Sequence, residues 1–192
     1  MDKSSREYIL KYVEDLHSLV THGLQPFSHQ MGESQMRDHP EVLLAIQGFH
    51  GTLQQHATML TQRMQALGGG ASAPVQDAAS AVAGVVAGVY NQVRSEAVAK
   101  SVRDDYTFIS HCTISWLMLL TTSRSLGDHE TEELAERGYR DCARMAMEID
   151  RLMPSLVFKE LQQDQLPAQD VSTWAHGIIS NAWNRQSASA AA

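Results

Sequence analysis

The stretch that decides the fold is SEAVAKSVRDDYTFISHCTISWLMLLTTSRSL, Ser95–Leu126. It belongs to the longest segment of the chain without glycine or proline, and it changes from a polar, charged first half to an apolar second half. Nothing in it interrupts a helical backbone, because glycine and proline are the residues that most disfavour helix. The stretch therefore predicts one long helix along which the other helices pack.

Before this stretch, the spacing of apolar residues predicts two helices. In the first, apolar residues recur every three or four positions from Ile9 to Leu24, after a cap at Ser4 or Ser5. Pro26 lacks a backbone donor, so a kink or break is expected near Gly23.

The second helix is expected to start at Asp38 and Pro40 and to run to about Leu67. Three successive glycines, Gly68–Gly70, stop it.

A small-residue helix at residues 77–93 is expected to connect this helix pair to the next pair. After Ser95–Leu126, Gly127 ends the long helix and Asp128 caps a fourth, at about 129–153. Pro154 is expected to end that helix or to start a new turn, and a short amphipathic helix follows up to Leu161. A last helix follows Asp170. The predicted division is a bundle at 1–161 and a C-terminal extension at 162–192.

The composition narrows the class of protein. The chain has 192 residues, a formal net charge of −7 and two cysteines, Cys112 and Cys142. The negative charge argues against general nucleic-acid binding, which needs a basic face. Two cysteines are too few for a disulfide framework. Neither a signal peptide nor a membrane span is apparent, so a cytoplasmic protein is expected.

Four pieces of sequence carry a resemblance to a known fold family. They are Tyr106 in the long helix, the joint Leu126–Asp128, the acidic start Glu130–Glu136 and the segment Pro154–Leu161. On these pieces, residues 8–161 resemble the ferritin-like bundles of uncharacterised bacterial stress-response proteins of the YciE/YciF type. The resemblance implies an all-α, ferritin-like four-helix bundle, made of two helical hairpins with a crossover helix and followed by short C-terminal helices.

The metal-binding residues of the family are not present at the matching positions of this chain. Diiron members need a glutamate from each of two helices and Glu-x-x-His from each of the other two. In helix two, Leu53 stands three residues before His56, and the fourth helix has Arg140, Asp141 and Ala143 at the corresponding place. The resemblance therefore implies a degenerate metal site, without the family's oxidase or ferroxidase activity.

Histidine is abundant, with nine residues in the chain, and this favours a second hypothesis. His17 lies on the inward stripe of helix one, His56 lies near the inner edge of helix two, and Asp104 and His111 are seven residues apart on helix three. These four are candidate ligands for a single Fe, Mn or Zn ion. The alternative is a polar layer of the core that binds no cofactor.

Charged residues of helices three and four form another candidate group. The sequence predicts an ion network or an anion or small-molecule pocket at Arg103, Asp104, Asp105, Tyr106, Arg140 and Asp141. Cys112 is interpreted as a core thiol, and Cys142 as more exposed.

The terminal helix carries Trp174, Ile178 and Trp183, residue types that are frequent at interfaces. It is expected either to contact a partner or to dock on the bundle. Three functions stay open. The first is a non-catalytic, homodimeric interaction protein without a cofactor. The second is a metalloprotein with an atypical site. The third is a small-molecule or lipid carrier whose pocket is lined by Met and Leu.

Overall fold

The structure is a computed structural model that describes residues 1–69 and 98–184. Its described residues contain helices and no strand, so the predicted all-α class is confirmed. The elements are α1 (Lys3–Gly32), a 3-10 helix (Ser34–Asp38), α2 (Pro40–Ala66), α3 (Val98–Leu126), α4 (His129–Gln163) and α5 (Ser172–Asn184). The helix predicted at 77–93, and residues 95–97 of the predicted long helix, lie outside the described residues.

Contacts between the helices fix their directions. α1 and α2 form one hairpin, and α3 and α4 form the other. Gln30 of α1 bonds to Ser101 near the start of α3, so α1 and α3 run antiparallel. Lys159, late in α4, pairs with Glu41 at the start of α2, so these two also run antiparallel. α2 and α3 are consequently parallel, and α2 ends at the opposite end of the bundle from where α3 begins.

Two predicted helix ends are confirmed at Gly68 and Gly127. Both glycines have positive φ, at 86° and 73°, a conformation that glycine adopts without strain. The predicted cap of the fourth helix is also confirmed, since Asp128 accepts from the Thr131 N–H.

Other predicted starts are corrected. Asp2, rather than Ser4 or Ser5, caps α1. Pro40 takes the first turn of α2, but His39 stands at the cap and makes no side-chain cap bond.

Both prolines predicted to interrupt helices lie inside them. Pro26 lies within α1 and Pro154 within α4, which continues to Gln163. A break in the first helix and a separate short helix after Pro154 are therefore wrong, while a kink near Gly23 stays a prediction. On each side of each proline the buried stripe continues in helical register, for example from Leu152 to Leu156. Burial on both sides outweighs the one backbone hydrogen bond that a proline removes.

Two glycines allow close packing between helices. A Cβ at Gly23 of α1 would lie 2.0 Å from the Phe108 ring of α3, and one at Gly138 of α4 would lie 2.3 Å from the Trp116 indole. Phe108 also meets Phe27 edge-on, with ring centroids 5.9 Å apart. The aromatic side chains of α3 thus fit into spaces that only glycine leaves on the neighbouring helices. None of the helices described is long and apolar enough to cross a membrane.

Candidate functional site

The middle of the bundle contains a buried polar pair from α2 and α4. His56 is fully buried, and its Nε2 lies 3.1 Å from Oδ2 of Asp141. The His56 ring meets the Trp116 indole of α3 edge to face, with centroids 5.1 Å apart. Trp116 in turn lies against Gly138 of α4. Three helices therefore close this level of the core with direct side-chain contacts.

The hydrogen bonds determine the protonation of His56. A carboxylate can only accept, so Nε2 carries the proton that is donated to Asp141. Nδ1 is buried and has no partner among residues 1–69 and 98–184. Burial lowers the pKa of His56, and the Asp141 hydrogen bond only partly opposes this. Protonation would create a charged ring with a buried, unsatisfied N–H, so the neutral form is favoured.

Both cysteines are core thiols. Cys112 is fully buried, as predicted, and burial raises its pKa well above the usual value. Cys142 is also fully buried, which corrects the expectation that it is more exposed. Burial, with a contribution from the Asp141 charge, raises its pKa to about 12. Because the thiolate is the reactive form, neither thiol is suited to nucleophilic chemistry.

The four candidate metal ligands do not converge. His17 is half-buried, and its Nε2 lies 3.0 Å from the Thr61 hydroxyl of α2. Asp104 accepts from Arg103, and His111 is exposed on the outer side of α3. In the part of the chain that the structure describes, no group of three His, Cys, Asp or Glu side chains is placed to hold a metal ion. The structure therefore does not bring the four candidate ligands together among its described residues.

One metal-like spacing was missed in the sequence. Glu14 and His17 stand in Glu-x-x-His order on α1, which puts them on one face of the helix. Burial raises the pKa of Glu14, with a smaller contribution from Asp15. His17 is turned toward Thr61, so this pair joins no larger ligand set among the described residues.

The predicted ion network of α3 and α4 is divided into separate pairs. Arg103 pairs with its neighbour Asp104, and Arg140 pairs with Glu136 within α4. Asp141 pairs with His56 and Arg144. Tyr106 is half-buried and packs on the apolar core. These contacts do not join the six residues into one network.

Asp105 has a different environment from the rest of that group. It is 1% exposed, and its Oδ2 accepts from the Gln30 side-chain amide at 2.9 Å. Burial raises the pKa of Asp105 to about 7, although the Gln30 hydrogen bond opposes the shift. The Gln30 Oε1 atom is buried and finds no partner in the part of the chain that the structure describes. This pair joins α1 to α3 near the end of the bundle where α3 begins.

A buried ion pair, absent from the sequence predictions, lies at the other end of the bundle. The Arg63 guanidinium of α2 donates to Asp128 at 2.6 Å, to the Thr131 hydroxyl at 2.6 Å, and to Glu130. Burial alone would raise the pKa of Asp128, but hydrogen bonds from Arg63 and Thr131 together hold it below its usual value. The available signal was an arginine in the last turn of helix two and an acidic start of helix four.

An open groove of about 510 Å³ lies between α3 and α4, beside Leu120 and Tyr139. Its walls include two ion pairs, Arg124 with Glu132 and Arg140 with Glu136. This open surface groove, bordered by charged side chains, differs from the Met- and Leu-lined interior pocket expected for a lipid carrier.

The terminal helix α5 lies against α4. His176 Nε2 donates to the Arg151 carbonyl at 2.8 Å, and Trp183 Nε1 donates to Asp150 at 2.9 Å. Trp174 and Ile178 remain 67% and 52% exposed. One of the three predicted interaction residues therefore bonds to the bundle, and the other two face outward.

Comparison with known proteins adds a likeness of fold. No protein-family model matches the chain, and no curated protein matches it. The crystal structure of protein XCC3681 from Xanthomonas campestris pv. campestris superposes with a TM-score of 0.65 at 18% sequence identity. The match covers 85% of this chain and 99% of that one. At this identity the likeness concerns the fold alone.

Proposed function

We propose that the protein is a non-catalytic ferritin-like bundle that acts as a structural or interaction protein through association. Its context is the bacterial stress response that the sequence resemblance implies. The observation that carries the proposal is the closed middle of the bundle. There Trp116 packs on Gly138, and within the described residues the His56 ring bonds to Asp141 alone. In an open bundle core, His56 and Asp141 could bind a metal ion. Here they bond to each other.

The electrostatics of the core also favour a structural role. The pKa of His56 is lowered by burial, and the pKa values of both cysteines are raised. All three groups are thus kept neutral, as packed core residues are. A catalytic acid, base or nucleophile needs contact with a substrate, and these side chains are fully buried.

Association is supported by apolar side chains on the outer surface. Ile114 and Met118 on α3 and Trp174 on α5 are each about half exposed or more. Ile114 and Met118 lie one turn apart on the same helix, and an exposed apolar patch of this kind indicates contact with another protein. We infer that such contact, including formation of a homodimer, is how the protein works.

Metal analysis of protein purified without a histidine tag tests the non-catalytic part. We expect no stoichiometric Fe, Mn or Zn after the protein is incubated with each metal and desalted. Stoichiometric metal that is lost in His56→Ala but retained in His111→Ala would overturn the proposal, because His111 is an exposed matched control. Native mass spectrometry that shows a co-purified organic molecule would instead favour a carrier.

A further inference from the structure

The outer side of α3 carries an apolar surface, here called the α3 face, formed by Ile114, Leu117 and Met118. These side chains are 56%, 38% and 48% exposed. They lie at positions three and four apart, so they form one continuous strip on the helix. His111 and Thr121 extend the strip by about one turn at each end and are also exposed.

The α3 face lies in a long stretch without charge. No Asp, Glu, Lys or Arg occurs between Asp105 and Arg124. Solvent-facing sides of helices normally carry charged residues. The outward side of α4 follows this rule, with the ion pairs Arg144 with Asp141 and Arg151 with Glu148. The α3 face does not, which sets it apart from the surface of its partner helix.

We propose that the α3 face is the contact surface between two copies of this chain, with the two α3 helices antiparallel about a two-fold axis. This inference rests on the proposed function and specifies the partner as a second copy of the same chain. A two-fold contact places the same patch of both copies against itself. On a chain with a net charge of −7, two copies repel each other over most of their surfaces. A patch that is both apolar and uncharged brings no like charges together, so it suits a second copy better than a strongly charged partner.

The length of the α3 face indicates how strong the contact between the two copies should be. From His111 to Thr121 the helix rises roughly 15 Å, at 1.5 Å per residue. One helix of this length supplies less than the roughly 800 Å² per partner of a standard interface. The dimer is therefore expected to be weak and to depend on concentration in the micromolar range.

Light scattering on the full chain, over a series of micromolar concentrations, tests the proposal with two variants. Ile114→Glu combined with Met118→Glu places like charges against each other in the dimer and should give a monomeric mass at every concentration. Leu44→Glu is the matched control, because Leu44 is a 71% exposed apolar residue on α2. It should dimerise as the wild type does.

The outcomes separate this proposal from the proposed function. A dimeric wild type that is dissociated by Leu44→Glu and not by the α3 variant would overturn the assigned surface, while association would stand. A wild type that is monomeric at all concentrations would overturn self-association. If the α3 variant then also lowered the melting temperature, the face would be covered from within the same chain.

A cross-link gives a second, geometric readout. Met118→Cys should form an intermolecular disulfide under oxidised glutathione, because antiparallel helices bring this position close to its counterpart across the axis. Leu44→Cys should not, and the two native thiols are fully buried. Equal cross-linking of both variants would reflect random collision and would contradict the proposal.

Discussion

The indole of Trp116 occupies the space that a side chain at Gly138 would fill, since a Cβ there would lie 2.3 Å from the ring. Gly138→Ala should therefore force the helices apart or push Trp116 out of its position. We expect a loss of about 1–3 kcal/mol in the free energy of unfolding, as for other overpacked cores. Urea denaturation followed by circular dichroism measures it.

The matched control is Gly48→Ala on α2. A Cβ at Gly48 meets nothing within 4 Å, so alanine should stabilise the helix by up to about 1 kcal/mol. If both alanine variants stabilised the protein alike, close packing of Trp116 on the backbone of α4 would be refuted.

Removal of the Arg63 side-chain charge should be costly. In Arg63→Met, Asp128 would remain buried without its cation, so we expect a loss of roughly 3 kcal/mol. Arg140→Met removes an arginine whose partner Glu136 is exposed, and it should change stability by less than about 1 kcal/mol. Thermal and chemical denaturation compare the two. Similar losses would contradict the view that burial makes the Arg63 pair strong.

Asp105 should make the protein less stable as pH rises. Its pKa is about 7 in the folded protein and 3.8 as a model value, so folding takes up a proton between these pH values. The stabilising contribution is complete below pH 3.8 and is lost as pH rises through about 7. Asp105→Asn keeps an oxygen that can accept from Gln30 but cannot ionise. Its stability relative to wild type should rise by a few kcal/mol across this range.

Denaturant titrations at a series of pH values measure this difference. Asp164→Asn serves as the control, because Asp164 lies on the exposed surface. A constant difference between Asp105→Asn and wild type at all pH values would show that Asp105 does not titrate as described.

His56 should have the opposite pH dependence. Its folded pKa lies below the model value of 6.5, so its contribution is complete above pH 6.5 and is lost as pH falls through the folded pKa. His56→Gln should remove that part of the acid destabilisation, whereas His111→Gln on the exposed surface should not. NMR titration of the His56 ring checks the assignment directly. A His56 pKa at or above 6.5 would contradict it.

Local sequence signals predicted the elements well where a single residue type has a strong backbone effect. Gly127 and Asp128 gave the α3–α4 joint correctly, and the apolar spacing in α1 gave its buried stripe. The same local rules failed at Pro26 and Pro154. At these prolines, the neighbouring side chains are buried by contacts with distant parts of the chain. A rule based on local helix propensity does not take such contacts into account.

The candidate site was less predictable than the fold. His56 and Asp141 were both singled out, but as members of different groups, and their pairing across α2 and α4 was not foreseen. Arg63 was not singled out at all. Pairing of side chains between helices depends on the rotation and register of each helix, and a shift of one residue turns a side chain by about 100°.

By itself, the sequence determined the helical class, the stripes that face the core and several helix ends, because these follow from local backbone preferences and from the period of the apolar residues. Tertiary structure alone decided which polar groups meet. It placed Trp116 against Gly138, kept His56 neutral beside Asp141, buried Asp105 with Gln30, and turned His111 outward. The physical reason is that desolvation and hydrogen bonding depend on neighbours from other helices, whose positions are fixed only when the whole bundle packs.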